Sequence, residues 1–160
     1  MNVLDVGCGM GFFSLPAARL AGETGRVVCV DLQEKMIKGL IRRAEKAGLT
    51  DRIDARISRK NSLMINDIAG KIDFALAFAL IHEVPDKDRL LLEIGNTLKQ
   101  AGKLLIAEPK THVSKTDFDK SVAIAQSVGF EVISDLKIRL SYVILLARGR
   151  ESEQTAPSNI

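Results

Sequence analysis

Three glycines, Gly7, Gly9 and Gly11, stand at alternate positions in the segment LDVGCGMGFF, directly after a short hydrophobic stretch. Glycine takes positive φ readily, and it lets a ligand approach the backbone because no Cβ stands in the way. Asp31 ends the next hydrophobic stretch, RVVCV, and its carboxylate suits hydrogen bonds from two ribose hydroxyls. Together these features predict a loop that holds a nucleoside. The simpler alternative is a tight turn followed by a helix cap.

The spacing of these glycines argues against a nicotinamide dinucleotide. The fingerprint of dinucleotide-binding enzymes is G-x-G-x-x-G. Gly7 and Gly9 fit its first two glycines, but Phe12 occupies the position of the third. A nicotinamide-dependent oxidoreductase is therefore a disfavoured alternative.

Two histidines, His82 and His112, each follow a hydrophobic stretch that is typical of a strand, with Glu83 and Glu108 close to them in the sequence. Imidazole titrates near neutral pH, so either side chain suits a general base, and His82 is the catalytic candidate. The alternatives without chemistry are a loop residue packed against the pocket for His82 and a surface residue for His112. A small metal site is a remoter alternative, and no metal is expected. Cys8 is expected to be a small packing residue.

Short β-branched stretches alternate with longer helical patterns along the chain. The predicted strands cover Asn2–Val6, 26–30, Ile53–Ile57, Ile72–Phe78, part of 101–109, 131–139 and 142–148. The predicted helices cover 12–21, 33–47, 86–99 and 115–128. This alternation predicts helices on both faces of a mostly parallel sheet, with function at the carboxyl ends of the strands. The last two strands lie too close together for a crossover helix, so we expect them to pair antiparallel.

Two segments resemble class I S-adenosylmethionine-dependent methyltransferases. They are VLDVGCGMGFFSLPAARLAGETGRVVCVDLQEKMI and IDFALAFALIHEVPDKDRLLLEIGNTLKQAGKLLIAEP. The resemblance covers about residues 1 to 148. It implies a Rossmann-like α/β three-layer sandwich, with a seven-stranded, mostly parallel sheet of strand order 3-2-1-4-5-7-6 and strand 7 antiparallel.

The resemblance also implies S-adenosylmethionine as the cofactor and a role for each matching residue. The loop beside the methionine part of the cofactor would be built by Asp5, Gly7, Gly9 and Gly11. Asp31 would hold the ribose, Leu32 would lie beside the adenine, and Ala77 and Phe78 would flank the sulfonium.

The adenine end departs from the family pattern. The loop after the third strand often carries an acidic residue that accepts the adenine amino group, and here Arg59 or Lys60 stands at that place. Neither side chain can accept a hydrogen bond, which leaves Asn61 or Ser62 as the candidate. The basic loop is otherwise expected to be a solvated segment rather than a phosphate or RNA contact.

The resemblance implies a helical segment before the first strand that helps to cover the active site. Here Met1 stands one residue before that strand. We therefore expect that the chain is a shortened form of the family fold, that the segment covering the active site is missing, or that a partner supplies this segment.

Length and composition limit the number of domains, the kinds of partner and the location of the protein. The 160 residues suit one domain, which we place at residues 1–150, followed by a polar and disordered tail at 151–160. A net charge of +3 is too small to indicate a nucleic-acid or membrane surface. No apolar run is long enough to span a bilayer, and two separate cysteines favour the cytoplasm.

The expected function is that of a methyltransferase that acts on a small molecule. A homodimer is the oligomeric state considered. The Asn-Pro-Pro-aromatic pattern of enzymes that methylate exocyclic amines of nucleic acid bases is absent after the fourth strand, where AFAL stands. The alternative is a non-catalytic domain that uses the same fold to bind a cofactor or a partner.

Overall fold

The structure is a computed structural model, and it describes residues 1–149. Its seven strands are β1 (Asn2–Val6), β2 (Arg26–Asp31), β3 (Ile53–Ile57), β4 (Ile72–Phe78), β5 (Leu98–Pro109), β6 (Phe130–Ile138) and β7 (Ser141–Arg148). Its helices are α1 (Ser14–Leu20), α2 (Glu34–Lys46), α3 (Lys87–Thr97) and α4 (Lys115–Ser127). Short 3-10 turns lie at Thr50–Arg52, Asn66–Ile68 and Ile81–Glu83. The predicted tail, residues 151–160, lies outside the described residues.

The strands form one sheet in the order β3-β2-β1-β4-β5-β7-β6. The first five strands pair in parallel, whereas β7 runs antiparallel to both β5 and β6. The predicted fold class and strand order are thereby confirmed. Because β1 to β5 are parallel, their carboxyl ends meet at one edge of the sheet, where a ligand site is expected.

Helices cover the sheet from both sides because successive side chains of a strand point to opposite faces. On one face, Val3, Val27 and Cys29 pack with apolar residues of α1 and α2. On the other face, Leu4 and Val28 belong to a larger core that includes residues of α3 and α4. β1 and β2 are therefore apolar on both sides, as three-layer packing requires.

The boundary between α3 and β5 differs from the expectation. The helix ends at Thr97 and the strand begins at Leu98, whereas the sequence pattern predicted a helix to residue 99. Leu98 is buried, has an extended backbone and pairs with Ile72 at the start of β4. Burial of this leucine in the sheet therefore overrides the helical pattern.

No helix within residues 1–149 is long and apolar enough to cross a membrane.

Candidate functional site

A cavity of about 480 Å³ opens at the carboxyl edge of the sheet. It is lined by residues that follow four of the parallel strands. The lining includes Gly7 after β1, Asp31 and Leu32 at the end of β2, Ser58 to Lys60 and Ser62 after β3, and Ala79, Leu80 and Glu83 after β4. The strand ends that the sequence singled out thus surround one cavity.

The glycine loop after β1 takes a backbone path that requires its glycines. Gly7, Gly9 and Gly11 have φ of 72°, 53° and 84°. A Cβ on Gly11 would lie 2.4 Å from Leu40 Cδ1, whereas a Cβ on Gly9 would meet no atom within 4 Å. Gly11 is therefore needed for packing against α2, while Gly9 leaves open space beside the backbone.

Asp31 points toward this loop. Its Oδ2 accepts the backbone N–H of Gly9 at 2.9 Å, and its Oδ1 accepts that of Gln33 at 2.8 Å. Each carboxylate oxygen has a second lone pair, so both can accept a further hydrogen bond from a ligand. Leu32, next to it, is 51% exposed and lines the cavity.

Asp5 lies below the glycine loop and outside the main cavity. It is 3% exposed, and its Oδ2 accepts the hydroxyl of Ser14 at 2.5 Å. Burial raises the pKa of Asp5 to about 6, although the Ser14 hydrogen bond opposes the shift. Asp5 also lines a small apolar cavity of about 160 Å³ beside α1. Its bond to Ser14 ties β1 to the first residue of α1.

The loop after β3 forms a tight turn. The backbone N–H of Arg59 donates to the carbonyl of Ser62 at 2.8 Å. The Ser62 hydroxyl accepts the N–H of Met64 at 3.1 Å and lies 3.4 Å from Glu93 Oε2. Arg59, Lys60 and Ser62 line the cavity, whereas Asn61 is not among its lining residues. The two basic side chains therefore lie at this end of the cavity.

Sequence reasoning missed Glu93 as the support of this turn. Its Oε2 accepts the N–H of Leu63 at 2.6 Å, and its Oε1 binds Arg89 at 2.8 Å. The spacing of Arg89 and Glu93 by four residues was a signal of a helical ion pair, but not of the contact to the loop.

The end of β4 presents backbone and an aromatic ring. The Ala77 side chain lies in the core, and this residue does not line the cavity. Phe78 packs against Phe13, with 4.7 Å between the ring centroids. Ala79 has φ of 52°, an uncommon value for a residue with a Cβ, and its N–H donates to the carbonyl of Ala107. Strained backbone of this kind clusters at functional sites.

His82 and Glu108 form a hydrogen-bonded pair on the same edge. His82 Nδ1 lies 2.5 Å from Glu108 Oε2, and Glu108 Oε1 accepts the N–H of Ile81 at 2.7 Å. The rings of His82 and His112 lie 6.1 Å apart. Within residues 1–149, no group of three or more side chains is arranged to hold a metal ion.

The strand order, the antiparallel β7 and the glycine loop after β1 define the class of protein, which is a Rossmann-like fold of the methyltransferase type. The sequence matches the family described as "Methyltransferase domain" over residues 1–140, and the chain belongs to that family. This membership, with the fold, indicates S-adenosylmethionine as the cofactor.

Curated relatives include two proteins named "Ubiquinone/menaquinone biosynthesis C-methyltransferase UbiE". The protein from Hydrogenovibrio crunogenus is 31% identical over 106 residues, which are 66% of this chain and 41% of that protein. The protein from Escherichia coli is 31% identical over 107 residues, which are 67% of this chain and 42% of that protein. The chain thus spans about two fifths of the length of these relatives.

Solved structures share the fold at lower identity. A SAM-dependent methyltransferase from Aquifex aeolicus superposes with a TM-score of 0.82 at 22% identity, over 92% of this chain and 82% of that chain. The [4+2]-cyclase SpnF superposes with a TM-score of 0.76 at 20% identity, over 92% of this chain and 75% of that chain.

Proposed function

We propose that this chain is an S-adenosylmethionine-dependent methyltransferase that acts on a small molecule. The observation that carries the proposal is the junction of the glycine loop with Asp31 at the edge of the cavity. Gly9 leaves open space at its Cβ position, and both oxygens of Asp31 keep a free lone pair. These features suit a nucleoside whose amino-acid arm lies along the loop.

The residues that we assign to the cofactor follow from this arrangement. Gly7, Gly9 and Gly11 would line the methionine part, with Asp5 holding the loop from below through Ser14. Asp31 would bind the ribose hydroxyls and Leu32 would pack on the adenine. Ala77 and Phe78 would lie near the sulfonium, Ala77 through its backbone because its side chain is in the core.

The adenine end is the least regular part of the proposed site. Arg59 and Lys60 line it and offer only donors, and the Ser62 hydroxyl already contacts Met64 and Glu93. Asn61, at the tip of the turn, retains a side-chain acceptor. We therefore assign adenine recognition to Asn61 or Ser62, with packing on Leu32 as the larger contribution.

When bound, S-adenosylmethionine supplies a methyl carbon on a positively charged sulfur, which keeps the electron pair of the bond when the methyl group leaves. The chain's own contribution is to align the acceptor and to exclude water. His82, beside the cavity-lining Glu83, is the residue that we assign to proton removal from the acceptor. A small acceptor agrees with the names of the relatives, which are C-methyltransferases of ubiquinone and menaquinone biosynthesis.

The proposal is tested by calorimetry with S-adenosylhomocysteine and NAD, followed by transfer of labelled methyl from S-adenosylmethionine to a water-soluble naphthoquinol. We expect micromolar binding of S-adenosylhomocysteine, none of NAD, and a methylated quinol. Binding without transfer across a panel of quinols, phenols and amines would favour the alternative, a non-catalytic binding domain. Binding of NAD alone would contradict the proposal.

We also propose that two copies associate through β6. The outer edge of β6 pairs with no other strand among the described residues, and Leu136 and Ile138 are 39% and 50% exposed. Antiparallel pairing about Leu136 would place Asp135 of each copy opposite Lys137 of the other, which is a favourable cross-strand pair. An unpaired strand edge of this kind is a template for association.

Sedimentation tests the association. We expect Lys137→Asp to dissociate the dimer because it places like charges opposite each other, and the double variant Asp135→Lys with Lys137→Asp to restore it. A wild-type chain that sediments as a monomer at high micromolar concentration contradicts this proposal.

The location and extent of the domain complete the proposal. Cys8 and Cys29 are both buried free thiols, which supports a reducing cytoplasm. We place one methyltransferase domain at residues 1–150, of which the family match covers 1–140. With a net charge of +3, nucleic acid is not the expected partner.

A further inference from the structure

The carboxylate of Glu108 is almost completely removed from solvent, and each of its two oxygens has a partner. The residue is 1% exposed, and it lies near the carboxyl end of β5. Its Oε1 accepts the N–H of Ile81 at 2.7 Å, and its Oε2 lies 2.5 Å from His82 Nδ1. Burial of a carboxylate costs free energy unless it is hydrogen-bonded. Its partner His82 follows β4, at the carboxyl edge of the sheet.

These contacts decide which nitrogen of His82 carries the proton. An ionised carboxylate only accepts hydrogen bonds, so the atom that faces Oε2 must be a donor. With Glu108 ionised, Nδ1 carries the hydrogen and Nε2 of the neutral imidazole keeps its lone pair. Nε2 lies 3.9 Å from Glu83 Oε1, and Glu83 lines the cavity. The basic nitrogen thus lies beside a residue of the cavity lining, although His82 is not itself among the lining residues.

We propose that Glu108 is a positioning residue that holds His82 with Nε2 ready to accept a proton from the methyl acceptor. This inference rests on the proposed function and narrows its substrate class to acceptors that lose a proton, namely a hydroxyl or an activated aromatic carbon. In a hydroxyl acceptor the O–H bond breaks and an oxygen electron pair forms the bond to the methyl carbon. In an aromatic acceptor a ring π pair forms that bond, and the pair of the broken C–H bond returns to the ring. The proton goes to Nε2, and the Glu108 carboxylate stabilises the resulting imidazolium.

The surroundings of His82 agree with this role. The carboxylate of Glu108 lies 2.5 Å from Nδ1, that of Glu83 lies 3.9 Å from Nε2, and the ring of His112 lies 6.1 Å away. The His82 side chain is 24% exposed, so a proton gained by Nε2 can pass to solvent after the reaction. A tertiary amine or a thioether acceptor loses no proton and would make no use of this pair.

The first experiment needs neither cofactor nor acceptor. Nitrogen-15 NMR of the full chain with labelled histidine reports the tautomer of His82, and we expect the Nδ1-protonated form. In Glu108→Gln the side-chain carbonyl must still accept the Ile81 N–H, so the amide group faces Nδ1 as a donor and the tautomer should invert. His112→Gln is the matched control and should leave the His82 tautomer unchanged.

An Nε2-protonated His82 in the wild-type chain would overturn the proposal, and so would an unchanged tautomer in a folded Glu108→Gln variant. If that variant does not fold, as judged by circular dichroism, the wild-type spectrum alone decides. The measurement stays valid if the chain fails to bind S-adenosylhomocysteine, in which case the proposed function fails separately.

The second experiment measures methyl transfer to the naphthoquinol. We expect Glu108→Gln and His82→Gln each to lower kcat roughly 100-fold, with the double variant no slower than either single variant. The Kd for S-adenosylhomocysteine should stay within about twofold of wild type. A loss shared equally between kcat and cofactor affinity would indicate a structural role and overturn the assignment, as would a wild-type chain that methylates only tertiary amines or thioethers.

Discussion

Two buried carboxylates lie beneath the site, one in each half of the sheet, and they differ in their partners. Asp5 in β1 is 3% exposed and accepts one hydrogen bond, from the neutral hydroxyl of Ser14. Glu108 in β5 is 1% exposed and binds both a backbone N–H and the imidazole of His82. Burial raises the pKa of Asp5 to about 6.

The difference separates a structural role from a chemical one. Asp5 has no basic partner, so its negative charge is a cost, and its contribution is to tie the glycine loop to α1. Glu108 faces a ring that can become a cation, so its charge is useful when that ring gains a proton. Equal burial therefore does not imply equal function, because the identity of the donor decides what the carboxylate can do.

Removal of the Glu108 side chain should have the largest effect on stability. Glu108→Ala leaves the buried N–H of Ile81 without a partner and creates a cavity, so we expect the free energy of unfolding to fall by roughly 3 to 4 kcal/mol. Urea denaturation followed by circular dichroism measures the change. The control is Glu83→Ala, which removes a side chain that is 70% exposed and should change stability by at most about 0.5 kcal/mol. Equal effects for the two variants would contradict the assigned burial.

Asp5 should respond to pH in the direction that its raised pKa dictates. The folded chain binds this proton more tightly than the unfolded chain, so the contribution of Asp5 to stability falls as the pH rises between about 4 and about 6. Asp5→Asn lacks this loss, so its free energy of unfolding should rise by about 2 to 3 kcal/mol relative to that of wild type between pH 4 and pH 6.5. Denaturation curves at several pH values measure the gain.

Asp67 supplies a control of opposite sign for that measurement. Hydrogen bonds from Arg56 lower the pKa of Asp67, so its ionised form stabilises the fold above its ordinary pKa. Asp67→Asn should therefore lose stability relative to wild type as the pH rises. A difference between Asp5→Asn and wild type that does not vary with pH would show that Asp5 is not desolvated as described.

Asp31 should affect cofactor binding, in contrast to Asp5 in the neighbouring strand. Asp31→Ala removes the acceptor proposed for the ribose hydroxyls, and hydrogen bonds to a charged group contribute about 1.5 to 3 kcal/mol, so we expect S-adenosylhomocysteine to bind about 10 to 100 times more weakly. Calorimetry measures the Kd. Asp54→Ala, which removes a carboxylate bound to Arg56 outside the cavity, is the control and should leave the Kd unchanged. An unchanged Kd for Asp31→Ala would remove Asp31 from the proposed site.

The half of the site formed by β1 and β2 could be predicted from sequence because its signals are local. Local sequence indicates the backbone geometry here, through the glycines at positions 7, 9 and 11 and the acidic residue at the end of β2. The strand order, which the family resemblance implied, is confirmed by the structure, and so is the mostly parallel sheet that the alternation of strands and helices predicted. The short link before β7 was enough to predict its antiparallel direction.

The other half depends on contacts that sequence spacing cannot specify. Glu108 meets His82 because β4 and β5 are neighbours, and the choice of ring nitrogen depends on side-chain rotamers. The placement of Ala77 in the core and the capture of the β3 loop by Glu93 also depend on tertiary packing. The early end of α3 at Thr97 has the same cause, since pairing of Leu98 with Ile72 outweighs the helical pattern.

Gly9 and Gly48 have nearly the same backbone conformation, so alanine at the two positions can distinguish the conformational cost of a Cβ from its contact with a ligand. Of the changes proposed here, these should have the smallest effect on the free energy of unfolding. Gly9 and Gly48 have φ of 53° and 66°, and a Cβ on either would meet no atom within 4 Å. Alanine at each position should therefore cost only the left-handed backbone penalty of about 1 kcal/mol. Thermal denaturation should show matched losses for Gly9→Ala and Gly48→Ala.

The two variants should nevertheless differ in their affinity for S-adenosylhomocysteine. Gly9 belongs to the loop that donates to Asp31, so a methyl group there enters the space assigned to the amino-acid arm of the cofactor. Gly9 is not itself among the lining residues of the cavity, but Gly7 of the same loop is, whereas Gly48 follows α2 and belongs to no lining loop. We expect Gly9→Ala to weaken S-adenosylhomocysteine at least about tenfold, which is about 1.4 kcal/mol, and Gly48→Ala to have no effect. If both variants bind equally well, the open space beside Gly9 is not where the cofactor lies, and the β1 and β2 half of the site loses its proposed role.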